Sequence, residues 1–456
     1  MSKAEADRLF QQGLEAYKQQ DYQKALENYQ KALELDQSLG DRQSEGSALH
    51  GIGLIYQDLS EYPKALEFYE QALAARREAG DPEKVARTLN NIGLVLTELS
   101  LSDPGIPATT TVEQSIKTLQ EALKLRAAED EVGQGRTLLN LGKAYYSKAC
   151  YTDALEKYEQ SKAKFEKVGD RSNLATTLDN MGLVYSELRL YDKARDYHDQ
   201  ALAIFKDELK EPVNQARVLH NIGFAYEGER QLGKAKDFYD QALAIRREQK
   251  VDRSGLARTL TNLGNVLYDL TQYRAAEELL NEALSTAEKL AKNPANLAFT
   301  ANILGSLGKV YGRLVVVEQA KAEAYFKQAM KHFEQALKIA RQAGDRRTEA
   351  LLLLDIAILY AAAQEKEKAV EKLTEANQVL DDISRDIQSL PEEQQKPYRD
   401  WIERVSRAFE IVKTKTNQDG YLSFKDAQIL EDLGLIHLLP PELVPSKEQP
   451  GESEND

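Results

Sequence analysis

Arginine, asparagine and apolar side chains recur together in this chain, at a spacing that could hold an extended peptide. Arg87 stands four residues before Asn91, Arg136 before Asn140, Arg217 before Asn221 and Arg258 before Asn262, and Thr176 takes the arginine place before Asn180. A carboxamide supplies one donor group and one acceptor, the pair that a peptide backbone needs, and a guanidinium can grip a carboxylate through two parallel bonds. Apolar residues sit beside the amides: Leu94, Leu183 and Phe224 lie three positions after an asparagine, and Leu54 holds the same place earlier in the chain. Asparagine inside a helix costs roughly 0.5 kcal/mol relative to alanine, so five of them in one register call for an offsetting gain.

Other chemistry finds less support. The five histidines, His50, His198, His220, His332 and His437, form no HExxH or close-spaced set, and surface or groove polarity is the expected role rather than metal ligation. Cys150 is the one cysteine, which excludes an internal disulfide, and with no histidine near it in sequence it reads as a packed thiol. Gly51-Ile52-Gly53 lacks the third glycine and preceding strand of a nucleotide loop, and no GxSxG or Walker motif is present. The reading is therefore a non-enzyme with no cofactor and no metal. Residues 415–426 resemble an EF-hand loop in Asn417, Asp419, Gly420 and Leu422, between helix-like stretches 401–412 and 424–433. Lys415 in the first ligand place and the short Asp426 in the last argue against calcium, and a helix-loop-helix cap explains the same residues.

The elements that position the asparagines come from internal repetition. Gly13, Gly53, Gly93, Gly142, Gly182, Gly223, Gly264 and Gly308, with Ala357 in the ninth place, recur in similar contexts such as HGIGLIY and HNIGFAY, mostly 40 or 41 residues apart. In the undisturbed copies a second stretch carries Ala, an aromatic and Ala at i, i+4 and i+7, as in YQKALENYQKAL and YPKALEFYEQAL, one helical face with small residues where a neighbour approaches closely. Each repeat therefore reads as a helical hairpin. Gly40-Asp41, Gly80-Asp81, Gly169-Asp170 and Gly344-Asp345 place a helix-ending glycine before an aspartate that caps the next helix.

The glycine, the Tyr or Leu three later, and the Ala, Tyr/Phe and Ala that follow resemble the tetratricopeptide repeat. The repeats of about 40 residues are similar to the long-helix type of LGN/Pins, kinesin light chain and the arrays that precede bacterial CHAT domains. The resemblance implies an all-α, right-handed α-solenoid of about nine hairpins over residues 1–381. Two insertions fall near 100–111, Pro/Thr-rich and expected as a loop, and near 315–329, Ala/Lys/Glu-rich and expected as helix extension. A C-terminal helical cap follows at 382–438, and a disordered acidic tail at 439–456.

With the glycine counted as position eight of its helix, positions four, seven, eight and eleven fall on one side, and two, six, nine and thirteen on the other. The first side holds packing residues such as Leu49, Ile52, Gly53 and Tyr56; the second carries the arginines and asparagines. The resemblance implies that this second face lines a concave groove for acidic peptide segments. A self-satisfied face is the competing reading, in which position-thirteen acids (Asp58, Glu98, Glu187, Asp269) pair with the next arginine, Asp58 with Arg87 or Glu98 with Arg136.

Charge narrows the partners. Across 456 residues, 60 Lys+Arg stand against 74 Asp+Glu, and the net charge of −14 disfavours nucleic acid and anionic lipid. The start lacks a basic stretch followed by an apolar run, and the apolar stretch 351–363 is too short to span a bilayer, so a cytoplasmic location is expected. The function expected is a scaffold or adaptor that binds an extended, acidic segment of another protein through Arg87, Asn91, Arg136, Asn140, Asn180, Leu183, Arg217, Asn221, Phe224, Arg258 and Asn262. The alternative is a signalling regulator that switches conformation when its groove takes up a peptide.

Overall fold

Every regular element among the described residues of the computed structural model is helical; it describes residues 2–102, 109–249, 252–290, 293–363, 365–388 and 392–417. The chain divides into two compact units, one up to residue 251 and one from 252 onward.

The first unit is built of six hairpins. They are α1 (Lys3–Lys18) with α2 (Tyr22–Leu39), α3 (Arg42–Asp58) with α4 (Tyr62–Glu78), α5 (Pro82–Ser102) with α6 (Thr109–Leu125), α7 (Glu131–Ser147) with α8 (Tyr151–Val168), α9 (Arg171–Glu187) with α10 (Tyr191–Ala203), and α11 (Pro212–Gly228) with α12 (Leu232–Gln249). The end of α10 widens into a π-helical turn over Ile204–Glu208. Each second helix packs on its own first helix, α2, α4, α6, α8 and α10 also pack on the next first helix, and α5 touches α7. The second unit pairs α13 (Arg253–Asp269) with α14 (Tyr273–Ala287), α15 (Pro294–Val317) with α16 (Ala322–Ala343), and α17 (Arg346–Ala362) with α18 (Lys366–Ile387). Here α19 (Glu392–Asn417) lies against α17 and α18, and its Val405, Ala408 and Phe409 join Leu352, Leu353 and Leu373 in one core cluster.

Local chemistry explains the hairpins. Gly40, Gly80, Gly169 and Gly344 adopt φ of 69–71° at helix ends, a conformation that costs other residues about 1–2 kcal/mol. The aspartates that follow cap the next helix: Asp41 accepts from Ser44 N at 3.1 Å, Asp170 from Asn173 N at 3.1 Å and Asp345 from Thr348 N at 3.0 Å. The position-eight glycines let the second helix approach. A Cβ on Gly142 would lie 2.4 Å from the ring of Tyr158, and one on Gly53 would lie 2.6 Å from Tyr69, rings that are themselves buried.

The insertions differ from expectation in detail. Of the expected loop, residues 100–102 are helical because α5 continues past its repeat length, with the Ser100 hydroxyl bonded back to Thr97 O at 2.6 Å, residues 109–111 begin α6, and 103–108 lie outside the described residues. Near 315–329, α15 runs on to Val317, Gln319–Lys321 forms a 3-10 turn, and α16 starts at Ala322. Arg274 fastens the break by donating to Glu318 at 2.7 Å. The EF-hand-like loop lies outside the described residues apart from the end of α19.

Candidate functional site

Positions two and nine of the first helices meet solvent, as their spacing requires. Arg87, Arg136 and Arg258 are exposed, Phe224 is 40% exposed, and Leu54, Leu94, Leu183 and Arg217 are partly so. The asparagines sit deeper. Asn91, Asn180 and Asn262 are half-buried, whereas Asn140 and Asn221 are buried.

The depth has a cause on the preceding first helix. Asn140 Nδ2 donates to Asn90 Oδ1 at 3.1 Å, and Asn221 Nδ2 reaches Asp179 Oδ1 and Oδ2 at 3.1 and 3.2 Å. The Asn91 amide lies 3.4 Å from His50 Nε2 and also donates to Tyr69 Oη at 3.4 Å. His50, Asn90 and Asp179 are all position five of their helices. The amide at position six of one repeat therefore bonds to position five of the repeat before, and these bonds supply the gain that offsets asparagine's poor helix preference. Where position five is Leu139, the next asparagine has no acceptor, and Asn180 Nδ2 is buried without a partner.

Self-satisfaction thus runs through position five rather than position thirteen. Asp58 accepts from Tyr17 Oη at 2.7 Å, Arg87 pairs with Glu83 of its own helix at 3.1 Å, and Arg136 forms no ion pair among the described residues. Position five was missed in sequence; its one signal is that His50, Asn90 and Asp179 are polar on a helix side otherwise filled by packing residues.

Two histidines are also corrected from surface to core. His198 has no exposed surface: it fills the place that Tyr69 and Tyr158 fill in other second helices, against Gly182, where a Cβ would lie 2.5 Å from its ring. Its Nδ1 donates to Asp179 Oδ1 at 2.7 Å. His50, 7% exposed, has Arg76 Nη1 3.1 Å from its Nδ1, and burial, with Arg76 and Arg87 nearby, drives its pKa well below the imidazole range. Arg76 is itself buried and also donates to Thr88 Oγ1 and Lys84 O.

Asp179 is the centre of a buried network that joins α9, α10 and α11. Burial would raise its pKa, but Arg217, which donates to Oδ2, together with His198 and Asn221, holds it at about 2. Arg217 also lies over the ring of Phe205 at 5.8 Å, so part of its guanidinium is committed to the fold. In the second unit Arg258 is set over Phe299 at 5.9 Å, beside half-buried Asn262. A second residue missed in sequence is Lys143, position nine of α7, a cation in a row that is otherwise apolar in the first unit.

Among the described residues, no group of three or more histidine, cysteine or acidic side chains is placed to hold a metal ion, and no helix is long and apolar enough to cross a membrane.

A family model described as tetratricopeptide repeat matches residues 13–78, 44–103, 133–207 and 214–289, together more than half of the chain. Among curated proteins no sequence matches. Solved structures similar to this chain include aspartyl phosphate phosphatase F from Bacillus subtilis, 13% identical, covering 83% of this chain and 94% of that one at a TM-score of 0.48. A Rap protein complexed with competence and sporulation factor is 17% identical, covering 78% and 98% at 0.48. BtubC (BKLC) from P. vanneervenii is 20% identical, covering 56% and 91% at 0.34. At these identities and scores the likenesses carry no functional assignment.

Proposed function

As a member of the tetratricopeptide repeat family, whose fold is in general a non-catalytic scaffold for protein interactions, this chain uses its first helices as a docking face, we propose, and holds an extended, acidic segment of a partner protein there. The observation that carries the reading is the composition of the solvent side of α5, α7, α9 and α11. Leu94, Leu183 and Phe224 stand partly exposed in one row, flanked by Arg87, Arg136 and Arg217, on a protein whose net charge is −14. Apolar side chains between cations suit a ligand with apolar anchors and acidic residues. Arg258 and Asn262 offer the same pair of groups in the second unit.

Because Asn140 and Asn221 are already bonded within the protein, they serve this face by fixing the spacing of adjacent helices, while Asn91 and Asn180 keep some exposure for a ligand backbone. The ligand-contacting set is accordingly centred on positions two and nine.

The test is a displayed library of random peptides of about twelve residues, long enough to cross four first helices at roughly three residues per helix. Panned on the full chain, it is expected to yield peptides that bind the Leu183→Asp/Phe224→Asp double variant at least about tenfold more weakly. Peptides that bind the double variant as tightly as the wild type overturn the reading.

A further inference from the structure

The second unit holds a cavity that the docking face does not use. It opens between the end of α18 and the start of α19, with a volume of about 290 Å³. Ile387 and Gln388 line it from α18, and Gln395, Arg399, Ile402 and Glu403 from α19. None of its lining residues stands at position two or nine of a repeat. Sites for small molecules run from about 300 to 1,000 Å³, so this cavity is of a size for a small metabolite and too small for a peptide segment.

Its charged groups are kept apart. Arg399 and Glu403 are four residues apart on α19, the spacing at which side chains on one helix meet. They form no pair. Arg399 donates instead to Oε1 of Gln395, one turn back, and neither Arg399 nor Glu403 has an ion pair among the described residues. Gln395 is buried, 8% exposed, and its Nε2 lies 3.5 Å from Gln388 O. A carboxamide set in the wall thus orients the guanidinium and uses one edge of it, while the remaining N–H groups and the Glu403 carboxylate stay available in the same cavity. Buried Ile387 and half-buried Ile402 add an apolar surface beside them.

We propose that this cavity binds a free α-amino acid with an apolar side chain, its carboxylate on Arg399, its ammonium on Glu403 and its side chain against Ile387 and Ile402. The two protein charges stand about 6 Å apart along the helix axis, a span that a molecule with both opposite charges on one carbon can bridge. The same residue inside a peptide chain carries neither charge, so the ligand is the free amino acid. Because the lining comes from both helices, the bound molecule fastens α19 to α18, and the last helix of the second unit is held more firmly when the amino acid is present.

Isothermal titration of the full chain with L-leucine, L-isoleucine, L-valine and L-methionine, each up to about 10 mM, tests this. At least one is expected to bind with a Kd of about 1 mM or tighter, and its analogues without the ammonium (the 2-oxo acid) or without the carboxylate (the amine) at least about tenfold more weakly. Arg399→Met and Glu403→Gln should each weaken the amino acid at least about tenfold. Glu403→Gln leaves the bond between Arg399 and Gln395 in place, so it decides alone if Arg399→Met loses helix by circular dichroism. No binding by any of the four, an analogue that binds as tightly as its parent, or binding that survives both substitutions overturns the proposal and leaves the docking face untouched. The Leu183→Asp/Phe224→Asp double variant should take up the amino acid as the wild type does, and a loss there would move the ligand to the first helices and overturn the assignment to this cavity.

Discussion

Asp179 in the first unit and Asp355 in the second both lie on first helices with almost no exposed surface, 0% and 2%, yet burial has opposite outcomes for them. Asp355 is pushed up to about 6 by burial, against which it has Lys309 at 3.8 Å, and its Oδ1 has no partner. Asp179 is held at about 2 because a guanidinium, an imidazole and an amide all donate to it. Depth does not decide the charge of an acid in this array; the side chains that the neighbouring helices bring to it do.

The sharpest way to break the comparison is to take the cation from Asp179. Arg217→Met should destabilise the α9–α11 region by about 3–5 kcal/mol, since it strands a buried carboxylate, and amide hydrogen exchange localised to those helices would measure it. A loss below about 1 kcal/mol would mean that His198 and Asn221 suffice.

Next in size, Asp355→Asn should stabilise the second unit at pH 7 by up to about 3 kcal/mol. The sign follows from its folded pKa of about 6 against 3.8 for a free side chain: the folded state binds more protons between those values, so stability falls as pH rises through them. The gain should vanish at pH 4, and a thermal melt at both pH values shows whether it does.

Asp179 titrates the other way. Its folded pKa lies below 3.8, so the unfolded state binds more protons between about 2 and 4, and the stability it confers above that window is lost as pH falls through it. The contribution is about 2 kcal/mol and should be absent from the acid limb of Asp179→Asn. The smallest effect is expected from Lys309→Met, about 1 kcal/mol at pH 7 and less at pH 5, where Asp355 is largely protonated. Equal losses at the two pH values would show that Lys309 acts through packing rather than charge.

Much of the fold was legible because its signals are local. The glycine at position eight and the alanine and aromatic positions of the second helix mark which faces meet inside one hairpin, and the Gly-Asp pairs mark where one hairpin ends and another starts. The candidate face was legible for the same reason: positions two and nine follow from helical period alone. What escaped depends on the register between repeats. Asn140 and Asn90 are fifty residues apart, Asn221 and Asp179 forty-two, and nothing in either helix alone shows that position six of one abuts position five of the other. His198 was misplaced because it stands where other copies carry Tyr, Leu or Phe, and its buried ring is partnered by Asp179 from the other helix of its hairpin.

The match between position six and position five gives the order of the copies a meaning. Asn221 fits behind Asp179; behind Leu139 it would meet an isobutyl group. Asn180, orphaned behind Leu139, would find an acceptor behind Asn90. Recombination that dropped the fourth copy would leave every remaining hairpin foldable, since each needs only its neighbours. It would nonetheless erase Lys143 and give Asn180 an acceptor in the same event. Copies that look interchangeable as modules are, in this chain, words whose sense depends on the one before.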